Sequence, residues 1–113
     1  RSYGDFSELI HKGYRDPKGL NKQQLMQLVR GYFFRHKNIH LLVKVDDIEL
    51  HSDNQAFVIL HIAMAGNVIS DASMLESLRA NIYRFELHLI DDDGWSVNQA
   101  KWQWAKVSDM LKY

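Results

Sequence analysis

Apolar residues change their spacing once along this chain, near Asn38. Before that point they recur every three or four positions, and after it they alternate. Phe6, Leu9, Ile10 and Tyr14 make one helical stripe, with Asp5 as cap, Glu8 as its partner three residues on, and Gly13 weakening the end. Pro17 and Gly19 mark a turn, since proline presets φ and glycine accepts φ > 0. Asn21 is then placed to cap a second helix, with Gln24 at the reciprocal position. Leu25, Leu28, Val29, Tyr32 and Phe33 form its predicted buried face, and Lys22, Gln23, Gln27 and Arg30 lie mostly opposite.

Beyond Asn38 the period is two. Ile39, Leu41, Val43 and Val45 lie on one face of a strand, and Ile48 and Leu50 continue it after a slip of one position at Asp46-Asp47. A β-bulge there returns all six to one face. Ser52-Asp53-Asn54 reads as a hairpin loop, after which Ala56, Val58, Leu60, Ile62 and Met64 alternate again. Keeping apolar against apolar sets Leu50 opposite Ala56, Ile48 opposite Val58 and Val43 opposite Ile62. Residues 67–81 make a longer connection: a lid, a short helix or a dimer arm. Tyr83, Phe85, Leu87 and Leu89 then alternate with Arg84, Glu86, His88 and Ile90, and Trp95 opens a return strand. The intervening Asp91-Asp92-Asp93-Gly94 is a hairpin turn signal. A Ca²⁺ loop needs carboxylates at alternating positions and a later Glu, which this run lacks. The predicted register pairs Leu87 with Asn98, Phe85 with Ala100 and Tyr83 with Trp102.

Composition narrows the function classes. A length of 113 residues, without linker or repeat, predicts one domain over residues 1–113. Fourteen basic residues balance fourteen acidic ones, so no net field steers a polyanion and no nucleic-acid partner is expected. Zero net charge does little against self-association. The absence of cysteine excludes disulfides and thiol chemistry and leaves the compartment open. No apolar run approaches the roughly 20 residues of a membrane helix. The first residue is Arg1 rather than Met, which fits a removed leader or tag.

Helix, helix and two antiparallel hairpins, with Phe34-Arg35-His36 before the first long strand and Tyr83-Arg84-Phe85-Glu86-Leu87 plus Asp92 to Trp95 closing the sheet, resemble the nuclear-transport-factor-2-like superfamily. The likeness covers residues 5 to 105 and is nearest to small bacterial members of unassigned function. It implies an α+β fold, with N-terminal helices packed on a strongly curved antiparallel sheet of at least four strands and a pocket between helices and sheet. The long first helix usual in such proteins is short or missing here, which would leave part of the concave face open or covered by a partner. Family analogy also favours the periplasm slightly over the cytoplasm. Members include isomerases, dehydratases, cyclases and non-catalytic scaffolds, so the fold does not give the function.

Tyr14, Tyr32, Tyr83, Asn98 and Trp102 are the candidate pocket: aromatic bodies with a few polar tips suit a small apolar ligand. The plainer reading is that they fill the core. The outer sheet face mixes Phe57, Ile59, Trp95 and Val97 with charge. Lys44, Phe57, His61, Arg84 and Glu86 are the candidate homodimer interface there. Among the six histidines, His36 caps the helix C-terminus and His40 lies four residues on. On one continuous helix the two would share a face for Zn²⁺, but Lys37 replaces the catalytic Glu and Asn38 ends the helix, so no metal or cofactor is assigned. No catalytic residue is assigned either. An isomerase or lyase would need His61 or His40 as base, assisted by Tyr83 or Tyr32. A small-ligand-binding or protein-interaction module is the leading expectation, with a purely structural dimerisation scaffold as the third reading.

Overall fold

The computed structural model describes residues 3–36 and 38–111, the side chains of residues 3–5 excepted. The order is α1 (Tyr3–Glu8), α2 (Lys22–Arg35), β1 (His40–Ser52), β2 (Gln55–Ala65), β3 (Asn81–Asp91), β4 (Trp95–Trp104) and α3 (Val107–Met110). A single 3₁₀ turn, Ala72–Met74, interrupts the connection from β2 to β3. The strands form one antiparallel sheet in chain order, because each is joined to its neighbour by a hairpin or a short excursion.

The first helix stops at Glu8, earlier than the apolar stripe predicts. Ile10 leaves it to bridge Val97 in parallel, with Val97 N–H donating to the Leu9 carbonyl (2.7 Å) and His11 N–H to the Val97 carbonyl (2.8 Å). Edge strand β4 thereby has part of its exposed hydrogen-bonding row satisfied, a demand that no local propensity reports. Asp5 lies within the helix, which begins at Tyr3, and the capping role of its side chain falls outside the described residues.

The second helix starts as its sequence requires. Asn21 Oδ1 accepts from Gln24 N–H and Gln24 Oε1 accepts from Asn21 N–H, both at 2.9 Å. Such a cap stabilises by about 1 kcal/mol. Its C-cap is His36, whose backbone N–H bonds the Tyr32 carbonyl. The buried face is rotated from expectation: Leu25 and Met26 are buried, whereas Leu28 is 53% exposed.

Hairpin β1–β2 has the expected register, including Leu50 opposite Ala56, Ile48 opposite Val58 and Val43 opposite Ile62, with the shift between Val45 and Asp47. A second shift, between Leu50 and Ser52, tightens the loop to Asp53-Asn54. Hairpin β3–β4 departs from prediction. Its loop is Asp92-Asp93-Gly94, and a register shift leaves Asn98 as an extra residue, so that Leu87 pairs with Ala100, Phe85 with Trp102 and Tyr83 with Trp104. Trp95 and Val97, expected on the outer face, therefore pair with Asp91 and Leu89 and join the inner face. A bulge reverses the parity of every residue on one side of it.

Two apolar clusters lie on opposite faces of the sheet. On the inner face, Ile10, Tyr14, Leu25 and Met26 pack over Ala100, flanked by Phe6, Leu87, Val97 and Trp102. On the outer face, Leu75, Ala63, Ile82 and Met110 form the second, flanked by Leu42, Ile69 and Val107. The 67–81 connection is thus a short helical turn that buries Leu75 against the sheet. Helix α3 brings Met110 to the same place.

Candidate functional site

The inner face is apolar by construction. Alternation aims Tyr83, Phe85, Leu87 and Leu89 to the side covered by α2, and their cross-strand partners Ile62, Leu60, Val58 and Ala56 point the same way. Tyr83 stacks on Trp104, with ring centroids 4.6 Å apart, and Phe85 lies 6.3 Å from Trp102. From α2, Tyr32 reaches down and its hydroxyl donates to Met64 Sδ at 3.4 Å. Burial, and next the neighbouring Tyr32, push the Tyr83 phenol above its ordinary value. Lys18 Nζ sits 5.1 Å from the Trp102 ring, within cation–π range. Cover over this face is thinnest at β1. On β1 the same face leaves Val43 and Val45 each 52% exposed, Ile48 64% and Leu50 70%.

The five candidate pocket residues divide. Tyr32 and Tyr83 are neighbours on the inner face, and Trp102 packs both near Phe85 and against the cluster that holds Tyr14. Tyr14 itself is 1% exposed in that core, and its hydroxyl donates to Asp16 Oδ2 at 2.9 Å. Burial, with the Asp16 carboxylate beside it, pushes that phenol strongly up, so it holds its proton as a structural donor. Asn98 is the bulge residue, its backbone carbonyl accepting from Arg15 N–H and its side-chain Oδ1 buried without a partner.

The five candidate interface residues all lie on the outer face. Lys44, His61 and Arg84 are consecutive cross-strand neighbours, and Glu86 and Phe57 follow along β3 and β2. Sequence reasoning missed their centre, Asp46. As the extra residue of the β1 bulge it turns outward, where Oδ2 lies 2.5 Å from His61 Nδ1 and Oδ1 lies 2.8 Å from Lys44 Nζ. Lys44 also donates to the Asp109 carbonyl at the end of α3 (2.7 Å). Burial pushes the Asp46 carboxyl up, but hydrogen bonds from Lys44 and His61 outweigh it and hold the group below the usual carboxylate range. Arg84 pairs with Glu86 beside this cluster. Further along the face Phe57, His51 and His88 contact one another ring to ring. The phase slip at Asp46-Asp47 signalled the bulge; nothing local signalled the buried partner of its side chain.

Two catalytic arrangements considered from sequence are not assembled. His61 lies on the face opposite Tyr83 and Tyr32, and His40, paired with Ala65 at the start of β1, shares that outer parity. The Asp run is occupied with structure: Asp91 Oδ1 accepts from Gly94 N–H (3.0 Å), Asp92 Oδ2 meets His11 Nε2 (2.9 Å), and Asp93 takes φ 61°.

Comparison with solved structures agrees on the fold. A putative calcium/calmodulin-dependent protein kinase type II association domain from Thiobacillus denitrificans superposes with a TM-score of 0.69 at 10% identity, over 93% of this chain and 83% of that one. A ketosteroid isomerase-like protein from Erwinia carotovora atroseptica gives 0.65 at 11%, over 93% and 82%. A domain of unknown function with a cystatin-like fold from Nostoc punctiforme gives 0.65 at 15%, over 93% of this chain but only 66% of that chain. No protein-family model matches the sequence, and no curated protein does. The chain has the nuclear-transport-factor-2-like, cystatin-like fold: an α+β arrangement with one long helix among the described residues. No helix among those residues is long and apolar enough to cross a membrane.

Proposed function

We propose that this chain is a non-catalytic binding module, one domain over residues 1–113, whose aromatic inner face takes a small apolar ligand. The observation that supports this most is the lining of that face, the proposed trough. From Tyr83 to Leu89 and across to their partners, the inner strand positions carry aromatic and aliphatic side chains and no carboxylate. Two phenols, Tyr32 and Tyr83, supply polar tips for orientation. A Tyr83 phenol held above its ordinary value keeps its proton at neutral pH, which does not suit a general base. The ketosteroid isomerase-like neighbour marks an isomerase or lyase as the alternative. That reading needs a titratable group near the phenols, and His61 lies on the other face.

Trp102 and Trp104 provide the test, because both report on the trough. Titration with a panel of planar apolar compounds is expected to give saturable quenching, and Tyr83→Ala to weaken it about tenfold, roughly the loss of one stacked aromatic contact. A panel that yields no saturable change would sink the reading. As a second reading, the outer face serves as a homodimer interface. The exposed-end contact of Phe57 with His51 and His88 supports it. Sedimentation of Phe57→Glu against the parent protein tests it, with loss of a dimer expected. A periplasmic bacterial setting is the companion proposal, resting on analogy with small bacterial members of the fold.

A further inference from the structure

Four of the fourteen basic residues line one concavity. It lies between the segment that follows α1 and the outer flank of α2, with a volume of about 710 Å³, and its described lining includes Lys12, Arg15, Lys22 and Arg30. None of its described lining residues is acidic. Like charges sharing a concave wall repel one another, which favours a bound counter-charge.

The fold explains how they meet. Ile10 and His11 are held on the edge of β4, and His11 is anchored to Asp92, which fixes the path of Lys12 and Gly13. The anti-parallel bridge between Arg15 and Asn21 then closes the turn and delivers the start of α2 beside it. Lys22 and Arg30 project from the helix flank that the hydrophobic pattern leaves to solvent, with Ser7 and Gln27 adding polar groups between them. Asp16, next in sequence to Arg15, is buried and already accepts from Tyr14 Oη and from the backbone N–H groups of Lys18 and Leu20.

We propose that this groove binds a small organic polyanion carrying two or more phosphoryl groups. Several separated cations, not one clustered pair, suit a ligand with charges spread along its length, and the volume falls in the range of small-molecule sites. The site is separate from the aromatic trough and does not depend on it.

Isothermal titration of the full chain with inorganic pyrophosphate and with ATP at low ionic strength tests the assignment. Saturable binding is expected, weakening severalfold on raising salt, as exposed charge contacts are screened. The double variant Lys12→Glu/Arg15→Glu is expected to lose at least about tenfold in affinity, a factor worth about 1.4 kcal/mol, with its circular dichroism and unfolding midpoint retained. Lys106→Glu, an exposed cation outside the groove, should leave affinity unchanged. Vesicles carrying a phosphoinositide form a second arm: binding to them alone, lost in the double variant, would identify the phosphoryl source as a lipid headgroup. The proposal is overturned if neither soluble probe nor these vesicles bind, or if the double variant binds as well as the parent.

Discussion

The two hairpins of this sheet carry the same irregularity and were unequally legible. In β1 the apolar phase slips between Val45 and Ile48, and in β4 it slips between Val97 and Ala100. Both slips are one-residue bulges. The first was readable as such because apolar residues continue on both sides of it for several positions. The second reads from sequence as a change of face, since Trp95 and Val97 are plausible on a mixed outer surface. An extra residue and a face change leave the same trace when the flank is only two apolar residues long. The bulges also differ in use. Asp46 is turned into a satisfied ion-pair cluster, whereas Asn98 carries an unpartnered buried oxygen.

Substitutions can separate these readings, beginning with the largest effect. Val97→Asp is expected to cost about 3 kcal/mol or more, because it puts a carboxylate into the inner cluster. A urea midpoint close to that of the parent would return Val97 to the outer face and discard the β4 bulge. Asp46→Asn leaves Lys44 and His61 without their shared carboxylate and should cost about 1–2 kcal/mol near neutral pH. The Asp46 pKa is lower folded than unfolded, so its contribution is complete above the unfolded value of about 3.9. It is lost as pH falls through the folded value. Parent and variant stabilities, followed by chemical denaturation from neutral to acid pH, should therefore converge in strong acid; a constant gap would disprove the assignment. For Asn98→Ala the same denaturation experiment should show no loss, and a gain of up to about 1 kcal/mol, since a buried unpaired oxygen disappears. A clear loss would mean that this side chain has a partner. Asp93→Gly, smallest of the four, relieves a left-handed backbone at φ 61° and should raise thermal stability by about 0.5 kcal/mol.

The candidate site was legible in proportion to its dependence on alternation. Tyr32 and Tyr83 were expected to approach each other between helix and sheet, and they are neighbours on the inner face. Lys44, His61 and Arg84 were expected on one outer stripe and lie there as cross-strand neighbours. Tyr14 was misplaced because its helix ends at Glu8, and the edge of β4, a distant partner, supplies the reason. Leu28 was misplaced because periodicity defines a stripe but not which neighbour covers it. Asp92 and Asp93 form the turn that the run of aspartates signals, while Asp91 ends β3 and pairs with Trp95.

Local rules written along the chain determined the capping box at Asn21, the strand alternation, both hairpin turns and the first bulge. Each depends on residues within a few positions of one another, or on a periodicity that survives in isolation. Only the tertiary structure decided that Asp46 would meet His61, that Leu75 and Met110 would seal one end of the outer face, and that Lys12 and Arg15 would stand beside Lys22 and Arg30. These encounters join segments far apart in sequence. They are set by where the sheet edge captures Ile10 and where α2 comes to rest, which no window of neighbouring residues contains.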